Sequence, residues 1–261
     1  MKLLISLSKE VPEWWSQLPV NEQEKYVFEH PKTALKPLKR ATYVKSNPAN
    51  DAVKHGTFVD SDEHDEWSEI KYEKWYAQLT EDEAKTLSFY KQDKGYRKIN
   101  RALRGKDPMD DITKLLVDSM DSAISKARCP NKIEVYRGMI MPRSMHTESG
   151  DYRHLVGHTF SDKGFTSVTT LAKVAKDFMP TDKDLEESTV FVRMTLPRGA
   201  PAASMNAGLQ IKSKTVIRHT EEAELLLPRG MSYTIKKVEH VAPKKRPPAT
   251  VFHVEPVFPE D

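Results

Sequence analysis

The apolar pattern of this chain changes its period once. Up to about residue 127 apolar residues recur at helical spacing, and beyond Pro130 they alternate. A repeat of 3.6 lays one face of a helix on a core and a repeat of 2 does the same for a strand, so the two halves cannot exchange roles. The clearest helix runs from about 111 to 127, with Ile112, Leu115, Leu116, Ser119, Met120, Ala123, Ile124 and Ala127 on one face. Ahead of it, Thr80-Glu81-Asp82-Glu83 reads as a capping box before Ala84, Leu87 and Tyr90, and Tyr96, Ile99 and Leu103 mark another helix. After Pro130, Ile133 and Val135 alternate with Glu134 and Tyr136, and Val190, Val192 and Met194 with Phe191 and Arg193. Glu222, Glu224 and Leu226 are expected on one face of a short strand, with further strands at 232–241 and 249–258. One short helix carrying Leu171, Val174, Ala175 and Phe178 separates strands. Helices first and short strands later predict an α+β fold with a mostly antiparallel sheet, not a doubly wound one.

Residues 1–60 read as an extension. Pro31, Pro37 and Pro48 interrupt any helix between them, a basic stretch covers 32–45, and Asp60, Asp62, Glu63, Asp65 and Glu66 follow as an acidic block. A short helix near 21–29 with Asn21 as its N-cap, then a tether, is the expected form, and 60–65 reads as a solvated acidic linker. The folded domain is expected over 68–258. A net charge of +3 over 261 residues is weak ground for a nucleic-acid partner. The lone Cys129 can close no internal disulfide and is expected to pack at a helix end. The longest uncharged run, Gly199 to Ile211, is too short and polar to span a bilayer. Leu3–Leu7, followed by Lys9-Glu10, makes a poor signal peptide. A soluble, cytosol-compatible chain with no membrane partner is the expectation.

Several chemistries drop out. There is no phosphate-loop or dinucleotide glycine fingerprint. His154 and His158 are separated by Gly157 and lack a third ligand, and Asp60–Asp65 departs from a calcium loop at its third-ligand and glycine positions. No metal is expected. Lys244-Lys245-Arg246 beside Pro247-Pro248 reads as a solvated turn.

Three segments put polar groups on otherwise apolar strands: Val135-Tyr136-Arg137-Gly138, Gly164-Phe165-Thr166-Ser167-Val168-Thr169, and Glu221-Glu222-Ala223-Glu224-Leu225-Leu226-Leu227. Taken singly, each has an ordinary structural reading: a salt bridge for Arg137, an N-cap region for the hydroxyls, a solvated strand end for the glutamates. Together and in this order they resemble the arginine–serine–glutamate class of mono-ADP-ribosyltransferases, which includes binary actin-modifying toxins and Rho-modifying exoenzymes. Leu79–Glu83 and Tyr96–Arg104 resemble that family's leading helices, Leu196-Pro197-Arg198-Gly199 its central turn, and Met231–Ile235 its closing strand, so the likeness covers about 68–258. Departures are Val168 and Thr169 in the hydroxyl segment, the absence of Arg from Met179–Lys183, and a loop at 213–221 without its usual aromatic.

The resemblance implies N-terminal helices followed by a split, mostly antiparallel β-sandwich core. It also implies NAD as substrate and release of nicotinamide. Arg137, with Tyr136 and Gly138 beside it, would bind NAD at the diphosphate, and Phe178 would pack on the nicotinamide or its loop. Glu224 would face the oxocarbenium-like sugar and hold a ribose hydroxyl, Ser167 would orient Glu224 by a hydrogen bond, and Glu222 would engage the guanidinium of a target arginine. Gln at that first position, as in the Rho-modifying relatives, would not supply that base. The implied partner is a target protein carrying the modified arginine. NAD hydrolysis, with water as acceptor, and a transferase-like virion protein without turnover are the competing readings. Leu18–Pro31 is faintly similar to segments of tailed-phage proteins, which implies a phage enzyme acting in the host cytoplasm and packaged in the virion. Trp14 and Trp15 would anchor the extension.

Overall fold

The computed structural model describes residues 58, 60–140, 151–179, 189–206, 209, 220–241 and 249–259, all within one compact unit spanning 48–261. Among them five helices come first: α1 (Ser61–Lys71), α2 (Glu73–Gln78), α3 (Glu81–Tyr90), α4 (Asp93–Leu103) and α5 (Asp111–Lys126). The caps come from the local sequence. Asp60 Oδ1 accepts from the Glu63 amide at 3.0 Å, Thr80 and Glu83 close a reciprocal box, and Asp110 Oδ1 accepts from the Thr113 amide at 2.6 Å.

The acidic segment 60–65, expected as a solvated linker, is the capped first turn of α1. Its charges conceal a helical stripe, because His64, Trp67 and Ser68 fall at i, i+3 and i+4 and are all buried. Phe58, His64 and Trp67 pack ring on ring, and the series continues through Tyr72 to Trp75. Trp75 Nε1 donates to the Ala123 carbonyl at 2.9 Å and so docks α2 on α5. In α5 the buried face is Thr113, Leu116, Val117, Met120, Ala123 and Ile124, whereas Leu115, expected inside, is 48% exposed.

The strands are β1 (Ile133–Ile140), β2 (Thr159–Asp162), β3 (Thr166–Thr169), β4 (Thr189–Leu196), β5 (Ala203–Ser204), β6 (Glu224–Leu227), β7 (Met231–Val241) and β8 (Ala249–Val257), with helix α6 (Ala172–Asp177) after β3. They lie in the order β2-β7-β8-β4-β1-β3-β6-β5, and of these pairings only β4–β8 is parallel. β1 matches β4 along its whole length, from Ile133 opposite Leu196 to Ile140 opposite Thr189, but meets β3 through the single pair Tyr136–Thr169. The sheet therefore divides at that seam into a five-strand part and a three-strand part, and the α+β fold with its split, mostly antiparallel core is as expected. Cys129 is buried just past α5, its Sγ 3.0 Å from the Asn131 carbonyl, and burial pushes its thiol up to about 11. His154 and His158 are exposed on either side of Gly157, which has a φ of 90°. No helix among the described residues is long and apolar enough to cross a membrane. The expected features of 1–57, including the helix at 21–29 and Trp14 and Trp15, lie outside the described residues, as do most of 179–183, residues 213–219 and Lys244–Arg246.

Candidate active site

The seam between β1 and β3 is where the three polar segments meet. Arg137 stands on β1 on the same face as Ile133 and Val135, and its Nη1 donates to the Ser167 carbonyl of β3 at 2.8 Å. Its other guanidinium donors have no partner among the described residues, which leaves a fork able to meet an anion. Tyr136 points the other way. Its hydroxyl donates to Glu134, its ring packs 5.6 Å from that of Phe191, and Glu134 also holds Arg193 at 2.6 Å. Gly138 is needed for close approach, since a Cβ there would lie 2.2 Å from the Ala175 carbonyl of α6 and 2.9 Å from Met179 Cγ. Phe178 follows α6 and is 60% exposed.

β3 is fixed from below by α4. Asn100 accepts from the Phe165 amide at 2.9 Å and donates to the Phe165 carbonyl at 3.2 Å and to the Tyr90 hydroxyl at 2.9 Å. Arg104 binds both carboxylate oxygens of Asp162 at 2.8 Å. Burial first, and the charge of Glu224 second, push the Tyr90 hydroxyl above its ordinary pKa, while the Ser167 hydrogen bond opposes the rise. Tyr90, Ser167, Arg137 and Glu224 thus share one neighbourhood, with Tyr90 and Glu224 buried and Ser167 and Arg137 half-buried.

The glutamates are not on a continuous strand. Glu222 ends a 3-10 turn at Thr220–Glu222, Ala223 takes a φ of 46°, and β6 begins only at Glu224. Among the described residues Ala223 is the one non-glycine in the left-handed region, at a cost of about 1 kcal/mol. Three successive carbonyls are held here: Glu222 O by Thr169 Oγ1 at 2.7 Å, Ala223 O by the Thr170 amide at 3.1 Å, Glu224 O by the Met205 amide at 3.1 Å. Thr169 Oγ1 also accepts from the Leu171 amide at 3.0 Å, which ties the start of α6 to the same turn. Despite the broken strand, both carboxylates end on one side. They converge on Lys91 Nζ, Glu222 at 3.1 Å and Glu224 at 2.6 Å.

Sequence reasoning did not find Lys91. A lysine at the end of an apolar helix reads as a dipole partner or a solvated cap. Here it is the C-cap of α3 with a side chain only 3% exposed. Burial alone would lower its pKa; the charges of Glu224 and Glu222 more than reverse that and raise it. Nor does Ser167 bond Glu224, as the resemblance implied. In the β3–β6 register Ser167 faces Leu226 and Thr169 faces Glu224, so Ser167 is a diagonal neighbour and the partner of the Glu224 carboxylate is Lys91.

The fold has parallels among solved structures. C3stau2 from S. aureus, solved with NAD, superposes with a TM-score of 0.58 at 21% identity, covering 78% of this chain and 98% of that one. Plx2a from Paenibacillus larvae, described as an ADP-ribosyltransferase toxin, gives 0.58 at 17% identity over 76% of this chain and 96% of its own. The fold is that of the ADP-ribosyltransferase toxins. The sequence model of the ADP-ribosyltransferase exoenzyme family matches residues 64–250, more than half of the chain, and the protein belongs to that family. The chain is 26% identical over 173 residues to NAD(+)–arginine ADP-ribosyltransferase EFV of Enterococcus faecalis, covering 65% of this chain but only 31% of that protein. It is 26% identical over 216 residues to the epidermal cell differentiation inhibitor of Staphylococcus aureus, covering 72% of this chain and 80% of that protein.

Proposed function

We propose that the protein transfers ADP-ribose from NAD to an arginine of a target protein and releases nicotinamide. Arg137 takes the NAD diphosphate with the donors that Ser167 leaves free, and the exposed ring of Phe178 packs on the nicotinamide. Glu224, 8% exposed, faces the sugar as the glycosidic bond breaks and stabilises the oxocarbenium-like centre. Glu222 receives the target guanidinium and takes a proton from it, since a protonated guanidinium is a poor nucleophile. Ser167 fixes Arg137 through its backbone and borders Tyr90. Tyr136 and Gly138 serve this site by packing, the one on Phe191 and the other under α6.

The observation that carries this reading is the convergence of Glu222 and Glu224 on one cationic nitrogen, at 3.1 and 2.6 Å. Two carboxylates that can face a common cation suit a reaction in which one cation forms on the sugar and another arrives on the acceptor. The relative from Enterococcus faecalis, named for arginine as acceptor, supports the same choice. The test is incubation of the protein with labelled NAD and candidate target proteins, followed by mass spectrometry of the modified residue. Label on arginine is the expected result; label on another residue type, or nicotinamide release with no label, would replace arginine transfer by another acceptor or by hydrolysis. A phage setting, with the enzyme carried in the virion, rests on the resemblance of residues 18–31 alone, and mass spectrometry of purified particles decides it.

A further inference from the structure

We propose that Lys91 is a positioning residue of this site, which holds the carboxylates of Glu222 and Glu224 side by side as a fixed pair. The proposal rests on the transferase reading above and adds a residue that neither the motifs nor the family resemblance supplied. The physical need is plain. Two carboxylates whose oxygens lie within 3.1 Å of one point repel each other, and an unbalanced pair of this kind relieves itself by binding a proton. A glutamate that has bound a proton can neither face a developing cation nor take a proton from guanidinium. Lys91 supplies the missing positive charge from α3, at 2.6 and 3.1 Å, on a side chain 3% exposed and so little screened by water. The backbone of the turn is pinned by Thr169, Thr170 and Met205, but those bonds do not touch the carboxylates. Lys91 bonds both acidic ends directly.

Other titratable groups lie around this triad. α1 presents His64 and Asp65, both of which feel the charge of Lys91. α3 contributes Tyr90, β1 contributes Arg137, and the turn itself carries Glu221. β3 adds the uncharged Ser167 and Thr169. Burial lowers His64 to about 3, so it stays neutral at working pH, whereas burial raises Asp65 to about 6, and an Asp65→Asn background is the control for any acid limb seen in a rate profile.

The experiment compares Lys91→Met and Lys91→Arg with the parent chain. Nicotinamide release and label transfer are measured from pH 5 to 9, and the glutamate carboxyls are titrated by carbon-13 NMR. In Lys91→Met we expect the acid limb of kcat to move up by about one pH unit or more, with kcat at neutral pH down about tenfold. The KM for NAD should stay within about twofold, since the diphosphate contact is untouched. The shift should persist with Asp65→Asn, and Lys91→Arg should restore the limb. An unmoved limb in Lys91→Met, whatever the loss of rate, would make Lys91 a packing residue and overturn the proposal. If the parent neither releases nicotinamide nor labels a target, the transferase reading fails, and NMR decides the pairing by itself. A glutamate carboxyl titrating higher in Lys91→Met than in the parent supports it, and an unchanged titration overturns it. Should Lys91→Met fail to fold, the double variant Lys91→Met with Glu222→Gln removes the repulsion. It is expected to fold, and its failure to do so would equally overturn the proposal.

Discussion

On the proposed function, Glu224 and Arg137 carry the site's chemistry at the scale of single side chains. Glu224→Gln is near-isosteric, keeps an acceptor for Lys91 Nζ and removes the charge that would face the sugar. Loss of an electrostatic group of this kind costs about 10²–10³ in rate, so transfer and nicotinamide release should both fall by that factor while the fold stands. Near-parental turnover of Glu224→Gln would remove it from the bond-breaking step. Arg137→Ala should weaken NAD binding about 10- to 100-fold, the value of one or two hydrogen bonds to a charged group. Arg137→Lys should recover only part of this, because a lysine keeps the charge and loses the fork. Calorimetry with unchanged affinity in both variants would leave Arg137 as no more than the bond from β1 to the Ser167 carbonyl.

Among the elements, packing at the seam is what brings these residues together. Gly138→Ala puts a methyl 2.2 Å from the Ala175 carbonyl, so α6 must move off β1. We expect a loss of about 1–3 kcal/mol in urea unfolding together with weaker NAD binding, and an unchanged midpoint would contradict the close approach. The elements themselves were largely legible. The capping box at Thr80–Glu83, the long helix at 111–126 and the strands β1 and β4 follow from local pattern and appear where the pattern put them. α1 was hidden because its charged positions outnumber the buried stripe of His64, Trp67 and Ser68. The turn at Ala223 was hidden because two glutamates at a spacing of two fit a strand equally well, and only the pairing of β3 with β6 from Glu224 onward decides otherwise. Lys91 could not be read at all, since its role depends on a contact with residues 131 and 133 positions away. The class of chemistry was visible in three short segments, and the electrostatics that tune it needed the fold.

For the molecule as a whole, two neighbours on α1 set opposing responses to acid. Burial lowers His64 to about 3. The unfolded chain therefore binds a proton there below about 6.5 that the folded chain refuses, and this stability is present at neutral pH and lost as pH falls toward 3. Burial raises Asp65 to about 6, so the folded chain binds the extra proton, and this contribution is full below 3.8 and lost as pH rises through 6. The two offset each other between about 4 and 6. Asp65→Asn should make the melting temperature fall more steeply on acidification than in the parent, and His64→Gln should make it fall less; parallel curves for all three would contradict the assignment. The central claim, that Glu222 serves the acceptor and Glu224 the sugar, is tested most directly by Glu222→Gln, with released nicotinamide and label on an arginine-containing acceptor measured in one sample. The division of labour predicts that label is abolished while a substantial part of nicotinamide release remains and NAD affinity is nearly unchanged. Loss of both activities by the same factor would place Glu222 in the bond-breaking step and contradict it.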